Sequence, residues 1–220
     1  MTSIEVISTG MLDVNCSIIS NLQTREVFLV DPGGDEDIIY NIIQDHHLTL
    51  KAILHTHGHF DHILGTPSLI KKYYRNRNDI QIYLHAEDQF LWDNLSIQSQ
   101  KFGIQVPDQD MKITDYLNHN QMLDLCGMKI QVKNSPGHSP GSCTFFITKP
   151  DVENPVLIVG DVIFQNSIGR TDLWKGDYAT LLKSIHENVL SYPDDTRIIP
   201  GHGFETTVGE ERLHNPFLAG

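Results

Sequence analysis

The sequence predicts a sheet-rich α/β fold in which helices cover the outer faces of β-sheets. Short apolar runs bounded by Gly, Pro, Asp or Asn recur along the chain, which is typical of strands. Three other segments carry apolar residues at helical spacing. The chain has 220 residues, of which 40% are hydrophobic and 20% are charged, so it can bury a large core.

Nine apolar runs predict strands, and they occur both in hairpin-like groups and in strand–helix–strand units. In chain order these runs are residues 4–8, 16–20, 26–30, 51–55, 80–84, 128–133, 143–148, 156–160 and 196–199. Strands in both kinds of group indicate a sheet-rich α/β architecture with helices on the outer faces.

Amphipathic helices are predicted for residues 35–47, 66–76 and 177–190. Asp35 is the expected N-cap of the first helix. Thr66 and Pro67 form an N-cap and first-turn pair for the second. Asp177 is the expected N-cap of the third.

Residues 93–120 are polar and mixed, and a helix followed by a loop over the site is one of the structures they allow. No repeat, linker or low-complexity segment divides the chain. The sequence therefore predicts one domain over residues 1–220.

Charge and composition argue against several partners. The net charge of −12 disfavours a nucleic-acid partner, which would require clustered Lys and Arg. No apolar run reaches the roughly 18 residues of a membrane span, and the first residues do not resemble a leader peptide. We therefore expect a cytoplasmic protein with no membrane partner. The sequence does not indicate its oligomeric state. Cys16, Cys126 and Cys143 form no C-x-x-C pair and are expected to be reduced core residues.

The stretch HTHGHFDH at residues 55–62 directly follows an apolar run and crowds titratable groups together. Burying several imidazoles and a carboxylate is costly unless a cation pairs with them. A helical H-E-x-x-H zinc motif does not fit, because Thr56 stands where that motif has Glu. His57 and His59 are two residues apart, so on extended backbone they point the same way. Asp61 and His62 follow on a loop that could curl around a second ion.

Three later segments each place one further donor in a tight turn beside an apolar strand. These donors are His138 in SPGHSPGS, Asp161 in VLIVGD and His202 in PGHG. Imidazole and carboxylate donors without a thiolate suit zinc, iron or manganese. Two other histidines are weaker candidates for the site. His85 could cap a helix and have no role there, whereas His55 could support a ligand from behind.

Four motifs in order, THGHFDH, SPGHSPGS, GDVIFQNSIGR and PGHG, resemble the metallo-β-lactamase superfamily. IGRTDLWKGDYATLLKSI and PGHGFETTVGEERLHNPFL are similar to the compact glyoxalase II-type hydrolases within it. The resemblance implies an αββα sandwich of two mixed β-sheets with helices on the outer faces. It also implies that ligands lie on loops at one edge of the two sheets.

Carried over to this chain, the resemblance implies two divalent metal ions, with zinc favoured and iron or manganese as alternatives. It assigns His57, His59 and His138 to one ion, Asp61, His62 and His202 to the other, and Asp161 to a bridge. A hydroxide shared by the two ions would attack a carbonyl carbon. Asp61 would be the catalytic residue that orients this hydroxide and passes a proton onward. The implied substrate is a small-molecule acyl thioester, with S-lactoylglutathione or a similar 2-hydroxyacyl thioester as the best candidate.

The chain also departs from the glyoxalase II pattern. We expect it to lack the C-terminal helical domain that supplies much of the glutathione pocket in the full-length enzymes. The family segment ending in GCGR appears here as NSIGR, residues 166–170, which keeps Gly169 and Arg170 but lacks the cysteine. We expect Arg170 to pair with Asp172 or a nearby carboxylate.

The main alternative is a persulfide dioxygenase with one iron held by His57, His138 and Asp161. A β-lactamase is disfavoured because Asp161 stands where several of those enzymes have Cys. A diiron electron-transfer module is disfavoured because that branch typically has Glu in place of His59. A non-catalytic metal-binding protein stays open.

Overall fold

The structure is a computed structural model that describes residues 1–100, 102–104, 106, 112–148 and 155–218. Within these residues the chain forms two six-stranded sheets, one two-stranded hairpin and seven α-helices. Of the segment 93–120, residues 101, 105 and 107–111 lie outside the described ranges.

The first sheet is built from the amino-terminal strands, β1 Thr2–Thr9, β2 Val14–Asn21, β3 Glu26–Val30, β4 Thr49–Leu54, β5 Gln81–His85 and β6 Asp115–Leu117. They lie side by side in chain order. β1, β2 and β3 pair antiparallel, whereas β3 to β6 pair parallel through helical crossovers. The sheet is therefore mixed, as predicted.

The carboxyl-terminal strands are β7 Met122–Leu125, β8 Met128–Asn134, β9 Cys143–Thr148, β10 Val156–Gly160, β11 Ile163–Phe164, β12 Ser167–Ile168, β13 Arg197–Pro200 and β14 Thr206–Thr207. The second sheet has the order β14-β13-β10-β9-β8-β7. Only its β10–β13 pair is parallel. β11 and β12 form the separate hairpin.

The α-helices are α1 Glu36–Asp45, α2 Phe60–Ile63, α3 Gly65–Leu69, α4 Gln89–Asp93, α5 Leu95–Gln100, α6 Tyr178–Asn188 and α7 Val208–His214. A π-helical turn, Ile70–Tyr74, continues α3, and a 3₁₀ turn, Ala86–Asp88, precedes α4.

The two sheets pack face to face across the main core, where Phe28 of the first sheet and Phe145 of the second are fully buried. Ile39 of α1 packs on the outer face of the first sheet, and Leu181 of α6 packs on the outer face of the second. Burying each such side chain contributes about 1.5–3 kcal/mol. The αββα sandwich is thereby confirmed.

All nine predicted strands occur, each within two residues of its predicted ends. The prediction missed β6, β7, β11, β12 and β14. These strands have two to four residues, which is too short for an apolar period to show.

Helix starts were predicted with mixed success. The Asp177 cap of α6 is confirmed, because its Oδ1 accepts a hydrogen bond of 2.7 Å from the Thr180 amide. Asp35 occupies the N-cap position of α1, but its backbone is left-handed at φ 53° and its side chain does not cap that helix. Its Oδ2 instead accepts a hydrogen bond of 2.7 Å from the Gly10 amide.

The predicted helix start at Thr66 is wrong. Helical backbone already begins at Phe60 in α2 and resumes at Gly65 in α3. The Thr66 side chain is not free to cap, because its Oγ1 bonds Nε2 of His55 at 2.8 Å. Asp61 and His62 consequently lie on a helical turn and not on the expected loop.

Candidate metal centre

Seven histidine and aspartate side chains meet at one edge of the sandwich, beyond the ends of four strands. The first motif follows β4, and the later donors follow β8, β10 and β13. The side chains brought together are those of His57, His59, Asp61, His62, His138, Asp161 and His202. The sheet topology thus brings together side chains that are more than 140 residues apart in the sequence.

The three-histidine group consists of His57, His59 and His138. His138 Nε2 lies 2.8 Å from His59 Nδ1 and 3.2 Å from His57 Nε2. All three side chains are at least 93% buried. Three ring nitrogens therefore converge on one largely buried point.

The mixed group consists of Asp61, His62 and His202. Asp61 Oδ2 lies 3.4 Å from His202 Nε2 and 3.7 Å from His62 Nε2. His62 is fully buried, whereas the side chains of Asp61 and His202 are 13% and 27% exposed. This group is therefore the more open of the two.

Asp161 lies between the two groups. Its Oδ1 is 3.4 Å from His62 Nε2, and its Oδ2 is 3.6 Å from His138 Nε2 and 3.7 Å from His202 Nε2. One carboxylate thus faces a member of the three-histidine group and two members of the mixed group.

Hydrogen bonds on the outward side fix how four of the histidines present their rings. In each, Nδ1 faces an oxygen acceptor, which leaves Nε2 directed at the centre. The four contacts are His57 to Thr56 Oγ1 at 3.0 Å, His62 to Asp31 Oδ2 at 2.9 Å, His138 to Arg170 O at 2.8 Å and His202 to Leu12 O at 2.9 Å.

These residues fit a pair of metal ions. His62 Nε2 and Asp161 Oδ1 are buried and lack a hydrogen-bond partner among the described residues, which is costly for polar atoms. The converging ring nitrogens of the three-histidine group offer lone pairs to the same point. A cation bound to each group would satisfy these atoms, and nitrogen and oxygen donors suit zinc, iron or manganese.

The electrostatics of the cluster point the same way. Burial lowers the pKa of His57 well below its ordinary value and the pKa of His59 to about 3, so both rings are neutral at pH 7. Burial also lowers the pKa of His62, but the charges of Asp161 and Asp61 outweigh it and raise that pKa. Burial raises the pKa of Asp161, yet nearby His62 holds it below its ordinary range. The carboxylates of the cluster therefore stabilise positive charge beside them, and the neutral rings of His57 and His59 keep lone pairs for a cation.

Sequence reasoning missed Asp31, which supports both groups from behind. Its Oδ1 accepts from the Thr56 amide at 2.7 Å, and its Oδ2 accepts from Thr56 Oγ1 at 2.5 Å and from His62 Nδ1 at 2.9 Å. Because the Thr56 hydroxyl donates to Asp31, it accepts from His57 Nδ1. An Asp directly after the apolar strand β3, in VDPGG, was the available signal.

The start of β2 holds the loop that carries His202, which is a second support the sequence did not reveal. Asn15 Nδ2 donates to Pro200 O and to Gly203 O at 3.0 Å and 2.9 Å. The Asn15 amide also donates to Gly201 O at 2.8 Å. The amino-terminal strand β2 is therefore tied directly to the loop that carries the last donor of the centre.

The other candidate histidines have structural partners. His85 caps the 3₁₀ turn before α4, since its ring accepts from the Glu87 amide. The idea that His55 supports a ligand is wrong, because its two ring nitrogens bond Tyr83 O and Thr66 Oγ1.

Arg170 pairs with Asp172 as predicted, through contacts of 2.7 Å and 2.8 Å. The three cysteines are buried and unpaired, as predicted.

A cavity of about 530 Å³ opens onto the centre. His59, Asp61, His138, Asp161 and His202 lie along it. Its remaining lining is largely apolar and consists of Leu12, Phe60, Leu91, Gln98, Phe102, Arg170, Asp172, Leu173 and Trp174. The sequence left open whether a helix in segment 93–120 lies near the site. Helix α5 in this segment borders the cavity through Gln98.

A family model described as the metallo-β-lactamase superfamily matches residues 9–202. The chain belongs to this superfamily. Together with the grouped histidines and aspartates, this membership supports a metal-dependent hydrolase. In the described part of the chain, no helix combines the length and apolar character needed to cross a membrane.

Several known proteins are similar over almost the whole chain. Hydroxyacylglutathione hydrolase GloC of Haemophilus influenzae is 36% identical over 219 residues, which are 98% of either chain. The crystal structure of BLEG-1, described as a B3 metallo-β-lactamase, is 35% identical with a TM-score of 0.87 and covers 99% of this chain and 100% of its own. The structure of TTHA1623 in a di-iron-bound form is 32% identical with a TM-score of 0.82 and covers 97% and 100%.

Proposed function

We propose that the chain is a binuclear metal-dependent hydrolase of acyl thioesters, with S-lactoylglutathione or a similar 2-hydroxyacyl thioester as substrate. The observation that carries the proposal is the position of Asp161 between the three-histidine group and the mixed group, beside an open cavity. The similarity to hydroxyacylglutathione hydrolase GloC supports the choice of a thioester.

We assign one ion to the three-histidine group and one to the mixed group, with Asp161 shared. Zinc is our first choice, and iron is the alternative that the di-iron form of TTHA1623 supports. When bound, two such cations supply Lewis-acid activation of a water molecule and polarisation of a carbonyl oxygen.

The side chains on the open side of the centre would handle the reacting water. Asp61 is 13% exposed and lines the cavity, so its carboxylate can accept a hydrogen bond from a water molecule and then its proton. His202 Nε2 lies 3.4 Å from Oδ2 of this carboxylate, on the same open side of the centre. A thiolate leaves without a strong general acid because thiols are much more acidic than alcohols. Thioester cleavage therefore requires no second acid to protonate the leaving group.

The apolar walls would hold the rest of the substrate. Phe60, Phe102 and Trp174 line the cavity, and the rings of Phe60 and Phe102 lie 4.8 Å apart. Such walls exclude water from around a reacting ester and bind its carbon chain. Arg170 is at the same cavity, but its guanidinium is engaged by Asp172, so we assign it a structural role.

Thiol release from S-lactoylglutathione tests the proposal. The protein is stripped of metal with a chelator and reloaded separately with zinc, iron or manganese. We expect turnover with at least one metal and its loss in Asp161→Ala, with circular dichroism confirming that this variant is folded. Absence of turnover with all three metals would remove the thioester assignment.

β-Lactam hydrolysis is a second candidate, because BLEG-1 is similar over nearly the full length of both chains. The iron-dependent persulfide dioxygenase, which would use His57, His138 and Asp161, is a third. Nitrocefin hydrolysis by the zinc form and oxygen uptake by the iron form with glutathione persulfide distinguish these activities from thioester cleavage.

A further inference from the structure

Asp88 places a buried carboxylate between two loops that carry metal-ligand candidates. It lies at the end of the 3₁₀ turn before α4 and is 0% exposed. Its Oδ2 accepts a hydrogen bond of 2.8 Å from the Gly58 amide and one of 2.6 Å from Ser139 Oγ. Its Oδ1 accepts a hydrogen bond of 2.7 Å from the Gly141 amide.

Two of these donors are next to histidines of the three-histidine group, and the third, Gly141, lies three residues after His138. Gly58 is the residue between His57 and His59, and Ser139 directly follows His138. The carboxylate therefore ties the loop after β4 to the loop after β8, and so sets the distance between the histidines on the two loops. The mixed group is held by other contacts, from Asp31 to His62 and from Leu12 to His202.

Two glycines make room for this arrangement. A Cβ at Gly141 would lie 2.6 Å from Asp88 Cγ, and a Cβ at Gly58 would lie 3.1 Å from Asp88 Cβ. A contact of 2.6 Å is shorter than real Cβ atoms make, and a contact of 3.1 Å is tighter than most of them. The backbone of both loops therefore packs directly on the Asp88 side chain.

We propose that Asp88 is a positioning residue that controls metal affinity at the three-histidine group independently of the mixed group. The inference rests on the proposed function in one respect, which is that both groups bind metal. A buried carboxylate with three hydrogen bonds is rigidly held, and its removal leaves the Gly58 and Gly141 amides without this acceptor and Ser139 Oγ with Ser142 Oγ as its remaining partner. Ligand geometry is lost when such outer contacts are removed, and metal affinity typically falls about 10- to 100-fold.

Glu211 provides a matched control. It is also buried, at 1% exposed, and its carboxylate also accepts three hydrogen bonds, from Thr206 Oγ1, the Asn166 amide and Asn215 Nδ2. None of these donors belongs to a residue adjacent to a proposed ligand. Glu211→Ala therefore reproduces the loss of a buried, triply bonded carboxylate without touching the loops that carry the three-histidine group.

The test is a zinc titration of the metal-free full chain carrying ¹⁵N-labelled histidine, followed by NMR of the imidazole nitrogens. In Asp88→Ala we expect zinc affinity reported by His57, His59 and His138 to fall about 10- to 100-fold. Affinity reported by His62 and His202 should be unchanged. Glu211→Ala should lower the melting temperature while leaving both affinities as in wild type.

Equal weakening at both groups in Asp88→Ala, or no weakening at the three-histidine group, would overturn the inference. If Asp88→Ala does not fold, Ser139→Ala removes one of the three hydrogen bonds and should weaken the same group by a smaller factor. The wild-type titration separates the two proposals, because failure of wild type to take up zinc at both groups rejects the binuclear proposal itself.

Discussion

Asp161 Oδ1 lies 3.4 Å from His62 Nε2, and each of these buried atoms lacks a hydrogen-bond partner in the described structure. Two polar atoms in this position are a liability unless a cation binds between them and their neighbours. The relationship links the stability of the fold to the occupancy of the centre.

Metal removal should destabilise the protein. A ligand present at a thousandfold excess over its Kd adds about 4 kcal/mol to the free energy of unfolding, which corresponds to roughly 8–16 °C for a chain of this size. Differential scanning calorimetry of chelator-treated protein, before and after zinc is restored, measures the shift. In Asp161→Ala the zinc-dependent shift should be much smaller; a shift equal to that of wild type would contradict our assignment of the bridge.

Asp31→Ala should weaken metal binding, although we assign Asp31 no direct contact with a metal ion. Loss of the hydrogen bond to His62 Nδ1 frees that ring to rotate and lowers its basicity, which costs about 10- to 100-fold in affinity. Competition with a chromogenic chelator measures the change. Asp177→Ala is the control, since it removes a helix cap worth about 1 kcal/mol on α6 and should leave metal affinity as in wild type.

Gly201→Ala should disrupt the centre although it adds one methyl group. A Cβ at this position would overlap Asp161 Oδ1, so the carboxylate or the His202 loop must move. We expect loss of hydrolase activity in a protein whose circular dichroism is native. Gly203→Ala, two residues further on, has no atom within 4 Å of its Cβ and should cost only about 1–2 kcal/mol for its left-handed backbone. Equal activity in the two variants would rule out the close contact as the cause.

Trp174→Ala should impair substrate binding more than chemistry. The indole lines the cavity but lies on a loop apart from the seven donors, so its contact with substrate is the same in the ground and transition states. Steady-state kinetics with S-lactoylglutathione should show KM raised about tenfold with kcat nearly unchanged. Phe217→Ala, which removes a 46% exposed aromatic side chain outside the cavity lining, should change neither parameter.

The three cysteines should be silent toward thiol reagents in the folded protein. Burial raises the pKa of Cys126 to about 12 and raises the pKa of Cys16 and Cys143 as well, so the reactive thiolate is scarce at pH 8. Ellman's reagent should detect no rapidly reacting thiol before denaturation and three afterwards. A fast-reacting thiol in the native protein would contradict the burial of these side chains.

The residues that sequence analysis predicted best are those whose chemistry is unusual for their surroundings. A cluster of imidazoles after an apolar strand has few explanations other than a cation, and the three later donors each follow a strand. The sequence thus indicated which side chains come together, and the distances among them agree with that expectation.

The supporting residues were harder to find because their local sequence is ordinary. Asp31 and Asp88 lie in segments where an aspartate is common, and only the tertiary structure shows which amides they accept from. The predicted helix start at Thr66 failed for a related reason. Thr66 followed by Pro67 is a good start signal, but the Thr66 hydroxyl is bound to His55 across the fold, and the preceding motif had already begun a helical turn.

His202 is anchored to the carbonyl oxygen of Leu12, which lies 190 positions earlier, and it forms a bridge with neighbouring Val14. During synthesis the amino-terminal hairpin emerges from the ribosome long before the partner that it will hold. A nascent chain interrupted before position 202 lacks that partner, so assembly of the complete centre is necessarily a late event in the biogenesis of this protein.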